Sequence, residues 1–171
     1  GAGAIGGLVA GYLKLRGEDV SLVGHADAVK AIKEEGLQIS GVRGNHNVKI
    51  DISDKLSYRP DLIILSTKTQ DIDAAIKDSL TFAKDSTILT TQNGIQADDI
   101  LAKYVPQANI VSSIVMFGAT YLESGKVVHN FEGSWIIGKM FNGNIDERMM
   151  SVSLVLDKTF LTILSEDIKG M

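Results

Sequence analysis

Apolar residues recur along this chain with two alternating periods. From Ala4 to Leu15, the positions Ile5, Leu8, Val9, Tyr12 and Leu13 fall at helical spacing, and Gly17 stands where a C-terminal glycine would end the helix. "DVSLVG" (19–24) is a short β-branched strand. A second helix is expected over 26–35, closed by Gly36. "LQIS" and "NVKIDIS" alternate like half-buried strands and predict a hairpin around "GVRGNH". "PDLIILST" is a continuous apolar run, the pattern of a strand covered on both faces. Ile72, Ala75, Ile76, Leu80 and Ala83 mark the next amphipathic helix. "STILTTQNG" reads as a buried strand ending in Asn-Gly, "IQADDILAKYV" as a helix stopped by Pro106, and "NIVSSIVMF" as a strand.

Up to Phe117 this alternation is that of an α/β, Rossmann-like, doubly wound and mostly parallel sheet. The pattern then changes. "GATYLESGKVVHNFEGSWIIG" predicts an added antiparallel segment with turns near Ser124-Gly125 and Glu132-Gly133. A helix over "IDERMMSVSLVLDKT", a short strand "FLTILS" and a helix just beginning at "SEDIKGM" follow. With no linker, repeat or low-complexity tract, one domain is expected over 1–165, and residues 166–171 open something further.

Composition narrows the function classes. The net charge is −4 with no basic stripe, which speaks against nucleic acid or an anionic membrane as partner. The chain has no cysteine, so it has no disulfide, thiolate metal site or cysteine nucleophile, and a cytoplasmic setting fits. Its apolar runs are strand-sized, far short of a membrane span. No Ser-His-acid set, P-loop or paired-carboxylate signature stands out. The three histidines do not cluster at metal-ligand spacing. His129 reads as a hydrogen-bonded sheet residue, and Trp135, Phe117 and Phe131 as core or sheet-face residues.

The stretch "GAGAIGG" carries chemistry. Gly1, Gly3 and Gly6 have the spacing G-x-G-x-x-G. One glycine makes the tight turn, one lets a backbone approach a pyrophosphate, and one lets helix and strand pack closely. A helix and then a strand follow at once, as a βαβ unit requires. The strand that normally precedes such a loop is expected to be missing here, either removed or unresolved. At the end of the next strand, where an acidic side chain selects NAD and an arginine NADP, stand Gly24 and His25, with Asp27 and Lys30 beyond. The lack of a carboxylate right at that strand end leans toward NADP.

Three further stretches fall at strand ends: "LSTKTQDID" with Lys68, "TTQNGIQ" with Asn93, and "SGKVVHNFEGSWIIG". Taken with "GAGAIGG", they make the chain, from Gly1 to Met171, resemble the ketopantoate reductase (2-dehydropantoate 2-reductase) family. The resemblance implies NADPH-dependent reduction of a 2-keto acid, 2-dehydropantoate, to pantoate on the route to pantothenate and coenzyme A. It implies that Gly1, Ala2, Gly3, Ala4, Ile5 and Gly6 cradle the cofactor pyrophosphate. Lys68 would lie along the cofactor, and Asn93 beside the nicotinamide ribose and the substrate. The family commonly has arginine where this chain has His25, which leaves NAD and NADP both open.

The resemblance further implies a C-terminal all-helical domain absent here. The family's catalytic lysine would lie on its first helix, roughly one helical turn beyond Met171. On that expectation no catalytic residue lies in this fragment, which binds cofactor weakly and turns over nothing. Members of the family often form dimers through that domain. Two other readings stand beside this one: a related 2-keto acid reductase with another substrate, and a non-catalytic NAD(P)-sensing domain. An FAD-binding domain fits less well, because Lys68 and Asn93 would have no particular role in it.

Overall fold

A computed structural model describes residues 1–92, 96–141 and 143–171. In chain order its elements begin α1 (Ala4–Leu15), β1 (Ser21–Val23), α2 (Ala26–Glu35), β2 (Leu37–Gly41), β3 (His46–Val48), β4 (Asp51–Ser53), β5 (Leu62–Leu65) and α3 (Ile72–Ala83). They continue β6 (Thr87–Thr90), α4 (Gln96–Leu101), β7 (Ile110–Val115), β8 (Gly118–Glu123), β9 (Lys126–Phe131), β10 (Ser134–Gly138), α5 (Glu147–Leu156) and β11 (Leu161–Ser165). These residues form two compact units, one of Gly1–Lys55 with Met116–Gly133, the other of Leu56–Val115 with Ser134–Met171.

In the first unit α1 packs on a four-stranded sheet of order β3-β2-β9-β8. The helix forms where the apolar period predicts, and it buries Gly6 through Leu13. Two glycines one turn apart let it sit low on the strands. A Cβ on Gly7 would lie 3.3 Å from Val127 Cγ1, and one on Gly11 would lie 3.1 Å from Leu37 Cδ2 and collide with Ile39. After Leu15 the chain leaves the helix through Gly17, whose φ of +87° suits glycine.

The expected hairpin around "GVRGNH" is present, with Leu37 opposite Val48 and Ile39 opposite His46. Its second arm is not the single strand predicted. "NVKIDIS" divides: β3 stays with β2, whereas β4 leaves to pair parallel with β1, Leu22 opposite Ile52. The alternation of apolar residues is the same on both sides of the break, so the change of partner leaves no trace in it.

The second unit holds a five-stranded sheet of order β11-β10-β7-β6-β5. β5, β6 and β7 run parallel, as the continuous apolar runs predict, and β11 is parallel to β10. β8 and β9 form the antiparallel hairpin expected at Ser124-Gly125. The Glu132-Gly133 turn is different: β10 pairs antiparallel with β7, not with β9. Gly133 is needed there because any Cβ would strike the Met116 carbonyl. One cluster of the core joins Leu65, Ile72, Ile76, Ile88, Leu101 and Ile110, each worth about 1.5–3 kcal/mol of burial. α4 stops at Leu101, short of the predicted Val105. The expected final helix is a 3₁₀ turn, Ile168–Gly170. Among the described residues no helix is long and apolar enough to cross a membrane.

Candidate functional site

Gly3 is the N-cap of α1, with φ −87° and ψ −161°, no side-chain hydrogen bond in the cap and no acidic residue in the first turn. Its carbonyl accepts the Gly7 N–H at 2.8 Å. The earlier N–H groups of an α-helix have no carbonyl to bond within it and carry the positive end of its dipole. Lys14 in the last turn complements the opposite end. A Cβ built on Gly3 meets nothing within 4 Å, and its φ suits any L-residue. Neither packing nor backbone therefore demands glycine at position 3. An uncapped donor set with a glycine beside it, where a side chain would fill the open space, fits a diphosphate.

Gly24, at the end of β1, is demanded by packing. Its Cβ would lie 2.9 Å from the Ala2 Cβ and 3.4 Å from those of Ala28 and Ile52 Cδ1, while its N–H donates to Ser53 O at 3.0 Å. The glycine loop and the end of β1 thus approach closely within the first unit. His25 follows as the exposed N-cap of α2, and Asp27 stands in that helix's first turn. The chain therefore places no arginine at this strand end.

In the second unit Lys68 is exposed just beyond β5, and its carbonyl accepts the Asp71 N–H at 2.9 Å. Beside it, Thr67 Oγ1 is buried with no hydrogen-bond partner among the described residues. Such a hydroxyl can take a ligand or water partner without losing a bond. Asn93 lies outside the described residues. Its neighbour Gln92 bonds the carbonyls of Leu65 and Thr67 through Nε2, at 2.9 and 2.7 Å.

Sequence reasoning missed Thr67, Gln92 and Asp98. Asp98 is buried in α4 and accepts hydrogen bonds from Thr90 Oγ1 at 2.9 Å and Ser112 Oγ at 2.7 Å. Burial pushes its carboxyl pKa up, against the two hydroxyls. His129 is the sheet residue expected, fully buried and hydrogen-bonded to Tyr12. Trp135 and Phe117 are buried, and Phe131 is an exposed sheet-face residue. Among the described residues no group of three or more His, Asp or Glu is arranged to hold a metal.

Comparison with known proteins gives a consistent picture. The family model described as "Ketopantoate reductase PanE/ApbA" matches residues 1–142. The chain is 37% identical over 139 residues to a 2-dehydropantoate 2-reductase of Pyrococcus abyssi, a match covering 81% of this chain and 45% of that protein. It is similar to the solved ternary structure of D-mandelate dehydrogenase with NADH and anilino(oxo)acetate, at TM-score 0.88 and 29% identity, covering 99% of this chain and 56% of that one. The 2-dehydropantoate 2-reductase of Geobacter metallireducens shares the fold, at TM-score 0.90 and 22% identity, over 99% of this chain and 57% of that one. The chain spans about half the length of the curated relatives it matches.

Proposed function

This chain belongs to the ketopantoate reductase PanE/ApbA family, and from that premise we propose that it is the nucleotide-binding part of an NADPH-dependent 2-dehydropantoate 2-reductase serving pantothenate and coenzyme A synthesis. Residues 1–165 would act as that part, with 166–171 leading on toward a substrate-binding part. The observation that carries the reading is Gly3: a glycine the fold does not require, at the uncapped start of a twelve-residue helix.

The cofactor, when bound, supplies a hydride. The N–H groups at the start of α1 take the diphosphate, with Gly1, Ala2, Gly3, Ala4, Ile5 and Gly6 shaping the turn. Lys68 brings a positive charge toward phosphate or carboxylate. The Asn93 amide donates to the keto oxygen and so orients the carbonyl carbon of the 2-keto acid. The group that protonates the new alkoxide is assigned to the part of the protein beyond this chain.

The test is nucleotide titration of the chain and its Gly3→Ala variant. Gly3→Ala is expected to lower its unfolding midpoint by no more than a few degrees, since an N-cap change of this kind costs about 1 kcal/mol or less, while NADPH affinity falls about tenfold, about 1.4 kcal/mol. Equal affinity in the two would remove the diphosphate from this turn.

A second reading, a related 2-keto acid reductase using NADH, is favoured by the absence of an arginine at the end of β1, where Gly24 and His25 stand, and by the likeness to a dehydrogenase solved with NADH. Rates of the complete protein with NADPH and NADH, each across 2-dehydropantoate and aryl 2-keto acids, separate the two.

A further inference from the structure

The ladder between β5 and β6 ends at Leu65 opposite Thr90. Beyond that pair the two strands continue toward Lys68 on one side and Gln92 on the other, and Thr91 and Gln92 reach across to the first. Gln92 uses its amide nitrogen twice, donating to Leu65 O at 2.9 Å and to Thr67 O at 2.7 Å. Its Oε1 accepts the Thr91 N–H at 3.2 Å, which fixes the direction of the amide. Thr91 adds a bond from Oγ1 to Leu65 O, also at 3.2 Å. A primary amide has two N–H donors and one carbonyl acceptor, and all three functions of Gln92 are engaged on backbone.

We propose that Gln92 is a positioning residue, a latch that ties the end of β6 to the backbone leading into Lys68 and so holds Lys68 in place to meet a bound nucleotide. The inference rests on the proposed function for the role of Lys68, and on geometry alone for the latch. Thr67 immediately precedes Lys68, so the bond from Gln92 to Thr67 O acts one residue from the group it places. Contacts held in place before the ligand arrives bind more tightly, because less ordering is left to do. Glutamine is suited to the task. Glutamate has the same shape but, ionised, would set a carboxylate against two carbonyl oxygens, and methionine has the length without the donors.

A double-mutant cycle on the full-length protein tests it, with NADPH affinity measured for the wild type, Gln92→Met, Lys68→Ala and the double variant. Amide hydrogen exchange over 66–71 is followed in the nucleotide-free proteins. Each single change is expected to weaken binding about tenfold and the double change far less than a hundredfold, because Lys68 has little left to lose once its tether is gone. Exchange over 66–71 should quicken in Gln92→Met, and Gln92→Glu should behave like it. A residue that merely stabilised the fold would give additive losses, and additivity overturns the latch. Should the wild type bind no nucleotide, the proposed function falls. The latch is then judged by exchange, and unchanged protection over 66–71 in both Gln92 variants overturns it.

Discussion

The Tyr12 hydroxyl and Nδ1 of His129 lie 3.0 Å apart, both residues buried, and their hydrogen bond ties α1 to β9. The Phe117 ring packs edge-on against His129, and the Arg43 guanidinium lies 4.8 Å above the Tyr12 ring while pairing with both carboxylate oxygens of Glu132 at 2.6 and 2.7 Å. Burial pushes the His129 pKa below its ordinary value; Glu132 and the Phe131 backbone pull it back and Arg43 reinforces the lowering.

An unfolded chain therefore accepts the imidazole proton before the folded one does. Stability from this residue is full above about pH 6.5 and declines as pH falls through that value toward the depressed pKa. Tyr12→Phe strands Nδ1 and is expected to cost about 1–3 kcal/mol. Urea unfolding of both proteins at pH 8 and pH 5.5 checks both statements. A variant as stable as the wild type at pH 8 would show that the bond contributes nothing.

Asp98 gives a pH dependence of opposite sign. Its carboxyl, raised by burial, takes a proton more readily when folded. The cost of the ionised form therefore sets in as pH rises past the ordinary carboxylate value of about 3.9 and is complete above the raised pKa. Asp98→Asn can still accept from one hydroxyl and donate to the other, so it should match or exceed the wild type at pH 7 and lose that advantage toward pH 4. Asp98→Ala leaves the Thr90 and Ser112 hydroxyls without their acceptor and should cost about 1–3 kcal/mol, or several degrees of Tm. Thermal unfolding across pH reads both.

Gly41 has φ +116°, and a Cβ there would collide with the backbone carbonyl of His129, its partner across the β2–β9 ladder. The backbone fixes the position of a Cβ, and the atom that it meets is itself backbone, so neither can swing away. Gly41→Ala should destabilise by about 1–3 kcal/mol or more through strained backbone alone, whereas Gly3→Ala should not. Chemical denaturation of the pair separates glycines the fold needs from one it does not.

Helix α1 was legible to the residue, because five apolar positions in one register admit no other element. Strand partners were less so. Period-two alternation says which face is buried and nothing about which neighbour a strand chooses, so the split of "NVKIDIS" between β2 and β1 went unseen. At Glu132-Gly133 the glycine signals a turn and close backbone approach in the same letter, and only the fold shows that the second applies. The glycine loop could be nominated from the letters because the chemistry proposed for it depends on residue type and spacing. Gln92 could not, since a glutamine before Asn-Gly looks like any polar turn residue until the carbonyls of Leu65 and Thr67 are beside it. Asp98 and Asp99 are likewise indistinguishable as letters; only packing buries the first.

Both units are assembled from two separated stretches of chain, and this orders events during synthesis. α1 emerges from the ribosome well before β9, the strand whose Val127 underlies Gly7 and whose His129 bonds Tyr12. Until Lys126 and its successors are translated, β2 has no parallel partner and keeps a bare edge, open to any other unpaired strand. A premature stop anywhere before that point would leave α1 made but unsupported. The glycine turn that opens α1 is thus backed only by residues encoded far downstream of it.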